Sequence, residues 1–165
     1  MKIVVISDTH MPKKANHLPA RLTEELKSAD RIIHAGDWQS RDVYKELLKY
    51  APVDGVYGNR DDDEIRKIMP EKKLIKLKGW SIGIVHGQGE KKTTVKRALE
   101  AFENENPDMI IFGHSHIPFV KVTKKTLLFN PGSPTDKRKS PYFSFGILTI
   151  GDELRTEHVF FKDKL

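Results

Sequence analysis

Seven side chains stand out by type and place: Asp8, His10, Asp37, Asn59, His86, His114 and His116 each lie just past the end of an apolar run. Ile3-Val4-Val5-Ile6 leads into Asp8-Thr9-His10, and Ile32-Ile33-His34-Ala35 into Gly36-Asp37. Val53 to Tyr57 ends in Gly58-Asn59, Ile82 to Val85 in His86-Gly87, and Met109 to Phe112 in Gly113-His114-Ser115-His116. Carboxylate, amide oxygen and neutral imidazole are the ligands that suit divalent first-row metals such as Mn, Fe, Co, Ni and Zn. The set exceeds the needs of one ion and fits two, roughly 3.5–4 Å apart and sharing a carboxylate and a water. Four of the seven histidines in the chain occupy these strand-end positions. His17, His34 and His158 do not, and are read as structural.

Such a set does chemistry only if several strands deliver it to one edge. Met1 to Ser7 is rich in β-branched residues and reads as a strand buried on both faces. Leu18, Leu22, Leu26 and Ala29 recur at helical spacing. Ile32 to Ala35 is a second strand, and Ser40 is placed to cap a helix whose Val43 and Leu47 face inward. Val53 to Tyr57 is a third strand, followed by a short helix that ends at Pro70. Strands alternating with helices imply parallel pairing. From Lys73 the pattern changes: Lys73 to Lys78 and Trp80 to Val85 flank Gly79 as a hairpin. A helix opens at Thr93 or Thr94, carries Val95, Leu99 and Phe102 on one stripe and stops before Pro107. The remaining runs are strand-like and mostly antiparallel. The expectation is an α/β fold of one domain over residues 1–165. Two mixed β-sheets, parallel in the first half and antiparallel in the second, pack face to face with helices outside, an αββα sandwich.

The 165 residues contain no cysteine, which excludes disulfides, thiolate ligands and a cysteine nucleophile. No apolar run approaches the ~20 residues of a membrane span, and no signal peptide is evident, so a cytoplasmic protein without membrane contact is expected. The net charge of +6 includes Lys72-Lys73, Lys91-Lys92, Lys124-Lys125 and Lys137-Arg138-Lys139. These could attract a polyanion. They lack interleaved aromatics, however, and read first as a solvated surface.

With Asp8-x-His10, Gly36-Asp37, Gly58-Asn59-x-Asp61, His86-Gly87 and Gly113-His114-Ser115-His116 in this order, the sequence resembles the calcineurin-like metallophosphoesterase superfamily. It is most similar to the small prokaryotic phosphodiesterase branch, which also carries a segment like Asn130-Pro131-Gly132-Ser133. The resemblance implies that Asp8, His10, Asp37 and His116 hold one metal, that Asp37, Asn59, His86 and His114 hold the other, and that Asp37 bridges them. It implies a phosphodiesterase using a hydroxide between two divalent transition-metal ions, Mn, Ni, Fe, Co or Zn.

Larger members of the superfamily have histidine where this chain has Arg60. With a pKa above about 12, arginine cannot act as a general acid, but its planar fork can hold a phosphate oxygen. Asp37, Asn59 and Arg60 are therefore the residues expected at the reacting phosphate, Asn59 and Arg60 as its contacts. Diesters, or esters with good leaving groups, are the expected substrates. Asp61 is expected to orient a ligand or cap the next helix. Two alternatives stand beside the small-molecule phosphodiester: a nuclease acting on single strands, and a protein-interaction scaffold like the retromer subunit that this branch resembles. A homo-oligomer is compatible with either.

Overall fold

In the computed structural model, which describes residues 1–165, the chain forms two five-stranded sheets. The first takes the order β10 (Leu154–Phe161), β9 (Phe143–Ile150), β1 (Lys2–Ile6), β2 (Arg31–His34) and β3 (Val53–Gly55). The second takes the order β4 (Lys72–Leu77), β5 (Trp80–Val85), β6 (Met109–Ile111), β8 (Thr126–Asn130) and β7 (Phe119–Thr123). Within the first, β1, β2 and β3 run parallel. Within the second, β5, β6 and β8 do. The antiparallel pairs lie at the margins: β9 with β1 and β10 in one sheet, β4 with β5 and β7 with β8 in the other.

The two-sheet sandwich agrees with the sequence reading, but the division of strands does not follow the halves of the chain. Strands β9 and β10 return to the N-terminal sheet, because β1 is apolar on both faces and needs a neighbour on each edge. The long apolar strand β9 supplies the second edge, with Gly146 opposite Val5.

Alternation along β1 shows how the layers are built. Ile3 and Val5 point between the sheets, where they meet Ile33, Ile82, Ile84, Ile111, Phe129 and Leu148. Val4 and Ile6 point outward, to Leu22 and Leu26 of α1 (Ala20–Leu26) and Val43 and Leu47 of α2 (Arg41–Leu48). Ile65 of α3 (Asp63–Ile68) joins the same layer. On the other side, Ala98 of α4 (Thr94–Ala101) and the following Phe102 cover Ile110, Phe112 and Leu128.

The caps explain where the helices start. Ser40 accepts the Asp42 N–H, Asp62 the Ile65 N–H and Thr93 the Lys96 N–H. The cap of α3 is thus Asp62, which leaves the neighbouring Asp61 for another task. Helix α1 starts after Pro19 without a side-chain cap and ends at Leu26, before Ala29. No helix is long and apolar enough to cross a membrane.

Because three strands in each sheet are parallel, the loops at their carboxyl ends gather on one edge of each sheet. Those loops carry every strand-end ligand named above.

Candidate metal centre

The loops after neighbouring parallel strands are hydrogen-bonded to one another. The N–H groups of Asp8, His10 and Met11 reach the carbonyls of Gly36, Asp37 and Trp38 at 2.9, 3.1 and 3.0 Å, and Gly113 N–H reaches the His86 carbonyl at 3.1 Å. Other bonds cross from sheet to sheet. The Asp8 carboxylate accepts the His114 N–H at 3.0 Å, and the His86 ring meets the Ala35 carbonyl at 2.8 Å. The two sheet edges are thereby closed over one small space.

Five of the expected ligands meet there. Asp8 Oδ1 lies 3.7 Å from His10 Nε2, 3.7 Å from His86 Nε2 and 3.4 Å from His116 Nε2. Asp37 Oδ2 lies 3.6 Å from His10 Nε2 and 3.1 Å from His86 Nε2. Two triads, Asp8-His10-His116 and Asp8-Asp37-His86, have their ligand atoms within 4.8 Å of one another. Asp8 is the member common to both. All five residues are buried.

Asp8, Asp37, His86 and His116 each commit one polar atom to the protein and turn the other inward. Asp8 Oδ2 accepts from Ser7 Oγ (2.8 Å) and His114 N–H, while Asp37 Oδ1 accepts the Arg60 N–H at 2.8 Å. His86 donates its Nδ1–H to the Ala35 carbonyl, and His116 donates its own to the Asp136 carbonyl at 2.5 Å. Those bonds fix the tautomer and turn Nε2 inward. As a result Asp8 Oδ1, His10 Nε2, His86 Nε2 and His116 Nε2 are four of the five buried side-chain polar atoms that have no hydrogen-bond partner. An unsatisfied buried polar group costs about 1–3 kcal/mol. Four of them converging, with the donor set of a divalent cation, fit a metal centre.

The backbone reports the same constraint. Asp8, His10, Asp37, His114 and His116 have φ of 57°, 44°, 58°, 70° and 62°, a region that non-glycine residues rarely occupy. Two glycines are required for close approach: a Cβ at Gly113 would overlap Ser7 Oγ, and one at Gly58 would overlap Asp37 Oδ1.

The remaining predicted residues sit at the rim. The half-buried His114 ring packs edge-on to His86, with centroids 5.2 Å apart. Asn59 and Arg60 occupy the exposed turn after β3. Arg60 forms no ion pair with Asp61, Asp62 or Asp63, and it is its backbone that holds Asp37. Asp61 is the hub of this turn. Its carboxylate accepts the N–H groups of Asp37 (2.9 Å), Gly58 (2.7 Å) and Gln39 (2.7 Å).

Electrostatics follow from burial and these contacts. Burial pushes the carboxyls of Asp8 and Asp37 upward, but His86 and, for Asp8, also His10 and His116 overcome it and hold both below the usual carboxylate range. Burial alone would lower His86; Asp8 and Asp37 outweigh it and raise the ring to about 9. His116 is likewise raised by Asp8 against the effect of its burial. Burial lowers His114, with His86 beside it, and pushes Asp61 up to about 6.

His34 has the structural role expected of it. Its Nδ1 accepts the Gly36 N–H at 3.1 Å, its Nε2 lies 3.0 Å from Thr9 Oγ1, and its ring stacks on Trp38. Burial pushes it down to about 3. His158 stacks on Phe129 and meets the Asn130 carbonyl, far from any ligand role.

Some supports were missed in the sequence. Within Asn130-Pro131-Gly132-Ser133, Asn130 and Ser133 are buried and direct their side-chain bonds to backbone carbonyls beside the site. Ser133 Oγ donates to the Asp8 carbonyl at 2.8 Å, and Asn130 Nδ2 donates to the Gly113 carbonyl at 3.0 Å. Thr135 Oγ1 adds a bond to the Thr9 carbonyl at 2.6 Å. Arg66 donates to the carbonyls of Asp61 and Gly58 and lies over Tyr57. No periodicity or motif marks Thr135 or Arg66.

Residues 1–153 match the family model of the calcineurin-like phosphoesterase superfamily domain. The chain belongs to that superfamily. It is 34% identical over 157 residues to a probable metallophosphoesterase of Methanothermobacter thermautotrophicus, covering 95% of this chain and 91% of that one. Among solved structures it is similar to an archaeal phosphodiesterase, with 25% identity, a TM-score of 0.73, and coverage of 96% of this chain and 100% of that one. It also shares its fold with Vps29 of Chaetomium thermophilum, at 18% identity and a TM-score of 0.81 over 98% of each chain. Superfamily membership and the Asp/His cluster together make this a metal-dependent phosphoesterase.

Proposed function

We propose that the chain is a phosphodiesterase whose strand-end ligands hold two divalent transition-metal ions. The observation that carries this reading is the convergence of four buried, unpartnered ligand atoms, from Asp8, His10, His86 and His116, on one space. Asp8, His10, Asp37 and His116 would hold one ion, and Asp37, Asn59, His86 and His114 the other. Mn, Fe, Co, Ni and Zn all suit this nitrogen and oxygen set. When bound, such ions supply a water acidic enough to attack near neutral pH and offset charge on the phosphoryl oxygens.

The chain's own residues set the rest. Ala35 and Asp136 keep His86 and His116 in the tautomer that offers Nε2. Arg60 stands exposed on the turn that carries Asn59, free to grip a phosphoryl oxygen through two N–H groups. It cannot donate a proton to a departing alkoxide. Leaving groups that depart without protonation are therefore favoured, and diesters over alkyl monoesters.

The fold shared with Vps29 raises the scaffold reading, but a surface used only for binding gives no reason to bury unpaired ligand atoms. The experiment is hydrolysis of bis(p-nitrophenyl) phosphate and p-nitrophenyl phosphate with Mn, Ni or Zn added. We expect diester turnover that vanishes on chelation and in Asp37→Asn, and exceeds monoester turnover about ten-fold. Metal-independent turnover, or a monoester preference, would count against the proposal. Arg60→Ala should lower kcat/KM; if it does not, the role given to Arg60 is wrong.

A further inference from the structure

The segment between β8 and β9 does more than brace the ligands. Asp136 takes the Nδ1–H of His116, and immediately after it come three cations, Lys137, Arg138 and Lys139. They sit in a turn closed by the Ser140 N–H on the Lys137 carbonyl at 2.9 Å, with Arg138 at φ 48°. Together with Ser115, Ile117 and Ser140 they line an open recess of about 570 Å³. Ser115 lies between His114 and His116, so one wall of the recess is the ligand loop itself. The one acid on this segment, Asp136, faces Lys14 and His116, each at 3.8 Å, and leaves the three cations without an ion pair, Lys137 Nζ lying 5.7 Å from the centre of the Phe143 ring.

A phosphodiester carries one negative charge, which the metal centre already answers. A concave site with three further cations beside it focuses a field that the scissile group does not need. The recess has no aromatic side chain on which a base could stack. We propose that it is a subsite for a second phosphate, so that the favoured substrates are phosphodiesters with one further phosphate group near the scissile one. This rests on the phosphodiesterase reading above and names the substrate class for it.

The test compares a dithymidylate with and without a terminal phosphate, alongside bis(p-nitrophenyl) phosphate. On the metal-loaded enzyme we expect the terminal phosphate to raise kcat/KM about ten-fold, mainly through KM. A titration of the same two dinucleotides under chelation should show a matching gain in affinity that shrinks as salt rises. In the triple variant Lys137→Ala, Arg138→Ala, Lys139→Ala both ratios should collapse toward one. Should that variant lose its melting transition, Arg138→Glu alone reads out the same ratios. Ratios near one in the unaltered enzyme, or ratios that survive the substitutions, overturn the subsite while aryl diester hydrolysis leaves the phosphodiesterase reading standing. No hydrolysis of any diester overturns that reading and the subsite with it. Affinity that keeps rising with oligonucleotide length points to a strand-binding groove and also overturns the single-phosphate subsite.

Discussion

The carboxylate of Asp61 accepts the backbone N–H of Asp37 at 2.9 Å, and its two oxygens also take the N–H groups of Gly58 and Gln39. One buried acid thus fixes the peptide that carries a ligand and the turn that carries Asn59 and Arg60. It offers no atom to the Asp/His cluster; its work is orientation.

Asp61→Ala strands two buried donors, the N–H groups of Asp37 and Gly58, each at a cost of about 1–3 kcal/mol, and the half-buried one of Gln39. The expected result is a fall in unfolding free energy of several kcal/mol and a loss of metal affinity of roughly 10- to 100-fold, the range typical of groups that orient ligands. Asp61→Asn keeps one acceptor oxygen and should fall between the two proteins. Urea unfolding and metal titration calorimetry, run on both variants, check this ordering.

Asp8 Oδ1 approaches three histidines and Asp37 Oδ2 approaches two. Loss of either carboxylate should therefore disrupt the paired site, whereas His116→Ala should weaken mainly one ion. Metal content after dialysis ought to fall from about two ions per chain to well below one in Asp8→Asn and Asp37→Asn. It should stay near one in His116→Ala. Equal content in all three variants would show that the carboxylates do not link the two positions.

Metal uptake should also release protons. Asp8 and Asp37 hold His86 at about 9 against the effect of its burial, and an imidazole must be neutral to ligate. The apparent affinity should then climb as pH rises from 6.5 toward 9. Calorimetry near pH 7.5 in buffers of different ionisation heat will reveal the proton as a buffer-dependent enthalpy.

His34 gives stability a different pH dependence. Burial lowers its folded pKa to about 3 from an ordinary 6.5, so between those values the unfolded chain binds a proton that the folded one refuses. Stability is present above 6.5 and is lost as pH falls through that window, by about 2 kcal/mol between pH 7 and pH 5. His34→Asn can retain an acceptor for Gly36 N–H and lacks this titration. Its urea midpoint, though lower at pH 7, should decline less steeply toward pH 5 than that of the unaltered protein.

Ser133 bridges the sheets by donating to the Asp8 carbonyl and accepting the Asp136 N–H at 2.9 Å. Ser133→Ala should cost about 1–3 kcal/mol and loosen both Asp8 and the loop that holds His116. A lowered melting temperature together with weaker metal binding is the expected pair of results. A lowered melting temperature alone would make the bond purely structural.

What the sequence determined on its own were the local choices. Apolar strands that stop at Gly-Asp or Gly-His, the caps at Ser40 and Thr93, and the alternating hairpin around Gly79 depend on neighbours a few residues away. Those residues can be read directly. The recurrence of Asp and His past the ends of buried strands was equally legible. The tertiary structure decided what depends on distance. It returned β9 to the edge of β1, because a strand apolar on both faces must be paired on both sides. It made Ser133 a brace to the Asp8 carbonyl, more than a hundred residues away, and Asn130 a brace to the Gly113 carbonyl at the end of the neighbouring strand. It set Asp61 beneath Asp37 and brought the cations at Lys137 to Lys139 beside the ligand loop. Periodicity carries no record of such neighbours; only the packing of one sheet on the other makes them.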